Sequence, residues 1–170
     1  MAAALGGAPL ALYVRSPQFS ERVLEAVLER AEVLGVKYAV ADLAAFGRLA
    51  AAAPELAWVS GLAETWAPFF WQAGARGFTS GLGNVAPALA LALRDALRTG
   101  DLQETMRLWR ELLPFEQLRS RHREANNIAV VKAALDRLGL AGGPPRPPLS
   151  PLRDEDAAEL ERILAAWGVV

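Results

Sequence analysis

Four short apolar runs recur at nearly constant spacing, and this spacing constrains the fold more than any other feature of the chain. The runs are 10–14, 33–40, 56–60 and 77–80. Tyr13 precedes Lys37 by 24 positions, Lys37 precedes Gly61 by 24, and Gly61 precedes Gly81 by 20. Each run is almost continuously apolar, as strands covered on both faces are. A stretch of helical periodicity follows each one, and nothing between them resembles a hairpin turn. Strand–helix units repeated in this way imply right-handed crossovers and a parallel sheet.

The helix signals agree with this frame. Ser16-Pro17 opens the first helix, with Glu21 in its first turn and Val23, Leu24, Val27, Leu28 and Ala31 as its apolar stripe. Asp42 caps the second, which Pro54 stops. The third runs from Glu64 to Gly74 and is aromatic-rich, and the fourth opens at Val85 to Pro87 and reaches about Arg98. Beyond Thr99-Gly100-Asp101 the strands stop. A long helix from Leu102 to about Arg123 contains Pro114, a candidate kink. A further helix starts at Asn126 or Asn127 and ends at Gly139. Residues 141–151 are Gly/Pro-rich and extended, and a last helix starts at Asp154 or Asp156. The chain therefore divides into residues 1–100, four strand–helix units, and residues 101–170, a helical segment packed on them.

Composition removes several classes of function. The 170 residues are 53% hydrophobic and 22% charged, enough for one real core. A net charge of −1 gives no case for binding nucleic acid or an anionic membrane. With no cysteine and one histidine, His122, disulfides, thiolate metal sites and a histidine-based triad have no material to work with. No apolar run is long enough to span a bilayer, and the stretch from Met1 to Pro9 lacks a basic start and a long apolar core. A cytoplasmic protein is expected.

Lys37 is the costly residue. It sits inside an apolar strand, where an ammonium must be paired or lose its proton. The chain has sixteen arginines and one other lysine, Lys132. Lysine can do what arginine cannot, which is deprotonate and attack a carbonyl. Taken alone, a strand-end lysine whose head reaches water is the commoner explanation.

Several ordered motifs change that balance. The segment from Gly35 through Lys37 to Asp42 resembles the G-x-K-x-x-x-x-D strand of the dihydrodipicolinate synthase/N-acetylneuraminate lyase family of class I aldolases. Leu12-Tyr13 is similar to the family's tyrosine-bearing strand, and Ser60-Gly61 to its S-G-D-D corner. Gly74 to Pro87 resembles its G-A-D-G-x-I-S-x-x-x-N-x-x-P signature. Asn126-Asn127, Val131-Lys132-Ala133 and Leu138-Gly139 resemble its N-P-x-P-V-K-x-A-L-x-x-x-G helix. Arg146-Pro147-Pro148-Leu149-Ser150-Pro151-Leu152 resembles its R-x-P-L-x-P-L loop. The resemblance covers essentially the whole chain. It implies the C-terminal half of a (β/α)8 barrel followed by a helical extension. It also implies a lyase that forms a lysine imine with pyruvate or another 2-oxo acid, with no metal or organic cofactor. Lys37 is then the imine-forming residue and Tyr13 the proton carrier. Arg15, Gly61 and Thr79 become substrate-binding positions. An apolar wall of Val36, Val40 and Trp58 is expected to desolvate Lys37 and favour its free amine.

The sequence also departs from the pattern. Gln18 stands where the synthase has its carboxylate-binding arginine, so Arg15 is the candidate for that role. Ala39 and Gly61-Leu62-Ala63 replace polar residues, and the family's G-[ST]-T loop does not occur. A half-barrel leaves two strand edges and one sheet face open. Such a chain is expected to be nearly inactive alone and to associate, as a homo-oligomer or with an N-terminal half-barrel. The alternative function is a non-catalytic half-barrel acting as an assembly subunit. A third alternative is a phosphate-binding loop at Gly81-Leu82-Gly83-Asn84.

Overall fold

The four apolar runs form one parallel sheet. In the computed structural model, which describes residues 7–170, the strands are β1 (Leu10–Val14), β2 (Val33–Tyr38), β3 (Ala57–Ser60) and β4 (Gly77–Phe78). Their order is β1-β2-β3-β4, each paired in parallel with the next in sequence. The crossovers are α1 (Glu21–Leu28), α2 (Leu43–Ala52) and α3 (Ala63–Gln72). These elements make up a compact unit that ends at Thr79.

Its core lies between the sheet and these helices. Val14, Val36, Tyr38 and Trp58 from the strands meet Leu24, Phe46, Leu49 and Phe70 from the helices. Phe46 is central, with ring centroids 5.5 Å from Tyr38, 5.6 Å from Trp58 and 4.7 Å from Phe70. The Trp58 indole, fully buried, donates to the Ala53 carbonyl at 2.8 Å, tying β3 to the end of α2. Asp42 caps α2 as expected, accepting from the Ala45 amide at 2.9 Å. Truncating a buried phenylalanine costs about 3–5 kcal/mol and losing a cap about 1, so packing more than capping holds this unit together.

Three expectations need correction. The helix read from Ser16-Pro17 starts later, at Glu21. Ser16 instead makes a turn, its Oγ accepting from Gln18 N and its carbonyl from Phe19 N, each at 3.2 Å, and Phe19 packs on the core before the helix begins. The fourth strand is only two residues long. The strands are covered on one face, not two. In β1 the side chains of Leu10, Leu12 and Val14 are more buried than those of Ala11 and Tyr13, the period-two signature of a sheet open on one side.

One backbone conformation is strained. Ala63, just past the β3 corner, has φ +55°, which costs a residue with a Cβ about 1–2 kcal/mol. Ala63→Gly is expected to stabilise the protein by about 0.5–1 kcal/mol, because glycine's extra unfolded-state entropy offsets part of the relief. Urea denaturation reads this directly; a lowered midpoint would contradict the strain argument.

The second compact unit runs from Ser80 to Val170. A 3-10 turn (Leu82–Asn84) precedes α4 (Pro87–Thr99), which ends at Gly100 with φ +74°. Then come α5 (Leu102–Glu124), α6 (Asn126–Arg137) and α7 (Asp154–Ala166). Asp101 caps α5 by accepting from Glu104 N at 2.9 Å. Helix α5 packs against α4, α6 and α7. Leu108, Leu112, Phe115 and Leu118 are buried along it, and the Phe115 and Trp167 centroids lie 5.5 Å apart. Pro114 does not break α5. The break falls at Arg121 (ψ 155°), His122 (φ 55°) and Arg123 (φ 58°). Pro114 would deprive only the carbonyl of Arg110, an exposed residue that water can serve, so the helix tolerates it.

Candidate active site

Strand register places the expected site residues on the open face in two adjacent rows. Tyr13 pairs with Lys37, Lys37 with Val59, and Val59 with Gly77. This row crosses all four strands near their C-terminal ends. The ladder continues by one step: Ala39 N donates to Val14 O at 2.8 Å, Gly61 N to Tyr38 O at 2.7 Å and Thr79 N to Ser60 O at 2.9 Å. Arg15, Ala39, Gly61 and Thr79 therefore form the row above, one residue from each strand path. Period-two alternation turns both rows to the face opposite the core.

Within the lower row, the Lys37 Nζ lies 4.4 Å from the centroid of the Tyr13 ring. The Arg15 guanidinium carbon lies 5.9 Å from the same ring. A phenol beside an ammonium is a cation–π contact, worth about 0.5–1 kcal/mol where water has access. Water has access here, since Tyr13 is 56% exposed. The amine lies over the face of the ring. Lys37 itself is partly buried.

The expected apolar wall lies on the other side of the sheet. Val36 and Trp58 are in the core with α2, and Val40 packs against that core. They alternate with Lys37 and Val59 and so cannot flank the amine. Val59 is the apolar neighbour that the register supplies. Sequence inspection overlooked Val59 and Gly77, although counting two residues back from Gly61 and Thr79 finds both.

Gly61 serves the sheet directly. A Cβ there would lie 2.7 Å from the Ala39 Cβ and 3.0 Å from the Tyr38 carbonyl oxygen. Only glycine lets the end of β3 approach β2 so closely. Gly61→Ala is expected to destabilise the fold by about 1–3 kcal/mol. Thermal unfolding would show it, and a melting temperature equal to that of the parent would count against the close approach.

These rows can be set beside known proteins. A model of the dihydrodipicolinate synthetase family matches residues 5–167. The chain belongs to that family. It is 35% identical over 143 residues to a 4-hydroxy-tetrahydrodipicolinate synthase of Methanopyrus kandleri, covering 84% of this chain and 46% of that protein. It is 33% identical over 152 residues to a probable 5-dehydro-4-deoxyglucarate dehydratase of Methylobacterium radiotolerans, covering 86% of this chain and 50% of that protein. The crystal structure of dihydrodipicolinate synthase from Bacillus clausii superposes with a TM-score of 0.92 at 38% identity, over 98% of this chain and 57% of that one. The chain thus spans about half the length of the curated relatives it matches. Its fold is the four-strand parallel α/β half of this family's architecture, followed by a helical extension.

Other family motifs have structural explanations in the second unit. Lys132 is tied to the chain, its Nζ donating to the Gly142 carbonyl. Asp136 accepts from Gly143 N at 2.9 Å, fixing the same turn. Among the described residues, His122, Glu155 and Asp156 each bring a potential metal-ligand atom within 4.8 Å of the others. Asp156 already accepts from Arg121, His122 and Asn126 at 2.8–3.0 Å, so its oxygens are occupied by protein donors. No helix among the described residues is long and apolar enough to cross a membrane.

Proposed function

We propose that this chain is the lysine-bearing half of a Schiff-base lyase acting on a 2-oxo acid, pyruvate being the simplest. The observation that carries the reading is the register pair of Lys37 and Tyr13, with the amine 4.4 Å from the ring on the open face. The Lys37 amine attacks the ketone carbon. The carbinolamine oxygen takes a proton from the Tyr13 hydroxyl and leaves as water, giving an iminium ion. That cation withdraws electrons from the adjacent carbon, which serves cleavage, condensation or dehydration alike. Arg15, in the row above, is the cation for the substrate carboxylate, and Thr79 offers a hydroxyl at the far end of that row. The chemistry calls for neither a metal nor an organic cofactor, and a cytoplasmic location suits a small metabolite substrate.

Gln18 in place of an arginine favours a dehydratase-like specificity over dihydrodipicolinate synthesis, and Arg15 is the compensating cation. The open sheet face, with Tyr13 56% exposed, favours association with an N-terminal half-barrel or a second copy before full turnover. It also favours a second reading, a non-catalytic half-barrel kept for assembly. Incubation with pyruvate and borohydride followed by peptide mass spectrometry separates the two. A reduced adduct on Lys37 supports the lyase. A folded protein without one supports the assembly subunit.

A further inference from the structure

Gly81 opens the loop that follows β4, one residue beyond Ser80 and two beyond Thr79. Its backbone is ordinary right-handed helical, φ −80° and ψ −35°, so turn geometry does not demand glycine. The demand comes from Arg119. A Cβ built on Gly81 would lie 2.5 Å from both terminal nitrogens of that guanidinium.

The guanidinium is not free to yield. Its side chain is 12% exposed and that of Glu116 is 5%. Arg119 Nη1 donates to both Glu116 oxygens at 2.7 and 2.9 Å. Nη2 donates to Asn127 Oδ1 at 2.6 Å and Nε to the Asn127 carbonyl at 3.4 Å. A planar fork satisfied on two sides is a rigid plate. Burial pushes the Glu116 carboxyl up and the Arg119 charge opposes it. A buried ion pair is a poor way to gain stability, since an apolar pair of similar volume does as well or better. What this pair supplies is position. The loop is built to rest on it: Gly83 N donates to Ser80 Oγ at 2.6 Å, Asn84 Nδ2 donates to the Gly81 carbonyl at 3.1 Å, and Leu82 is fully buried.

We propose that Arg119, locked by Glu116 and Asn127, is a positioning residue that seats the Ser80–Asn84 loop through Gly81 and so fixes the chain immediately after Thr79. The consequence for substrate rests on the lyase reading above. The clamp itself does not.

A double-mutant cycle tests it. Glu116→Leu with Arg119→Met removes both charges together, so neither is left buried without its partner. Amide hydrogen exchange of residues 82–86 should accelerate about tenfold while exchange along α5 and α6 stays as in the parent. The pyruvate concentration for half-maximal borohydride trapping on Lys37 should rise about fivefold with the final yield retained. Gly81→Ala alone should do the same, yet add nothing in the charge-free background, where the plate it strikes is gone. Equal damage from Gly81→Ala in both backgrounds, or unchanged loop exchange, would overturn the proposal. Should the double variant fail to fold, Arg119→Lys keeps a charge for Glu116 but loses the fork, and the same loop acceleration is required of it. Absence of any adduct in the parent would sink the lyase reading alone, because the exchange cycle still decides the clamp.

Discussion

Lys37→Arg should yield a folded protein that gives no borohydride-trapped adduct with pyruvate, a loss of about a thousandfold or more against the parent. Arginine keeps a cation beside Tyr13, so the ring contact and the strand survive the change. It does not deprotonate, so the nucleophile is lost while the charge stays. Lys132→Arg is the matched control. Lys132 belongs to α6 and holds the Gly142 carbonyl, so its replacement should leave trapping untouched. Peptide mapping of the reduced protein reads both variants at once. An adduct that persists in Lys37→Arg, or that moves to Lys132, would remove the imine role from Lys37. Circular dichroism spectra matching the parent show that the loss is chemical.

Much of this site was legible because a parallel sheet turns spacing into geometry. Tyr13 and Lys37, 24 residues apart on successive strands, are register neighbours, and Gly61, 24 further on, follows one row above on the same face. What spacing does not reveal is which neighbours share the face with Lys37. Val36 adjoins it in sequence and pairs with Trp58, yet both point into the core, because alternation decides the face and proximity along the chain does not. Pro114 sits inside α5 without non-helical dihedrals for a related reason. Its cost depends on whether the deprived carbonyl reaches water, which is a matter of burial that no local pattern encodes. The Arg119 plate was invisible for a deeper reason. Gly81 and Arg119 are 38 positions apart, and the glycine's ordinary dihedrals leave no trace of the contact that requires it. The end of the long helix near Arg123 and the restart at Asn126 agree with the sequence reading, although Arg121 to Glu124 have no glycine or proline to announce the left-handed turn between them. That turn is held by a contact with α7, more than thirty residues away.

That contact carries the other large effect. Asp156→Ala should destabilise the protein by about 3 kcal/mol. The Asp156 carboxylate is fully buried in the first turn of α7. It accepts from Arg121 Nη1 at 2.8 Å, from His122 Nε2 at 3.0 Å and from Asn126 Nδ2 at 2.9 Å. Those donors bracket three consecutive left-handed residues, His122, Arg123 and Glu124, with φ of 55°, 58° and 68°. Each such conformation costs a residue with a Cβ about 1–2 kcal/mol, so the turn needs an anchor. The figure is set at the lower end for a buried pair because Arg121 keeps Glu159 at 2.8 Å and its side chain is 38% exposed, which lets water take over part of its charge. Burial pushes the Asp156 carboxyl up, but the hydrogen bonds from Asn126, Arg121 and His122 and the His122 charge more than offset it, holding it below the usual carboxylate range. The sign of the pH effect follows. A carboxyl whose folded value is depressed contributes stability that is fully present above its unfolded value of about 3.9 and is lost as pH falls through the folded value. Urea midpoints measured from pH 7 down to pH 2 should therefore fall for the parent below about pH 4, narrowing its lead over Asp156→Ala. Asp156→Asn keeps the shape and one acceptor oxygen, so it should lie between the two at neutral pH. Parent and Asp156→Ala curves that stay parallel down to pH 2 would show that the carboxylate charge has no part in holding the turn.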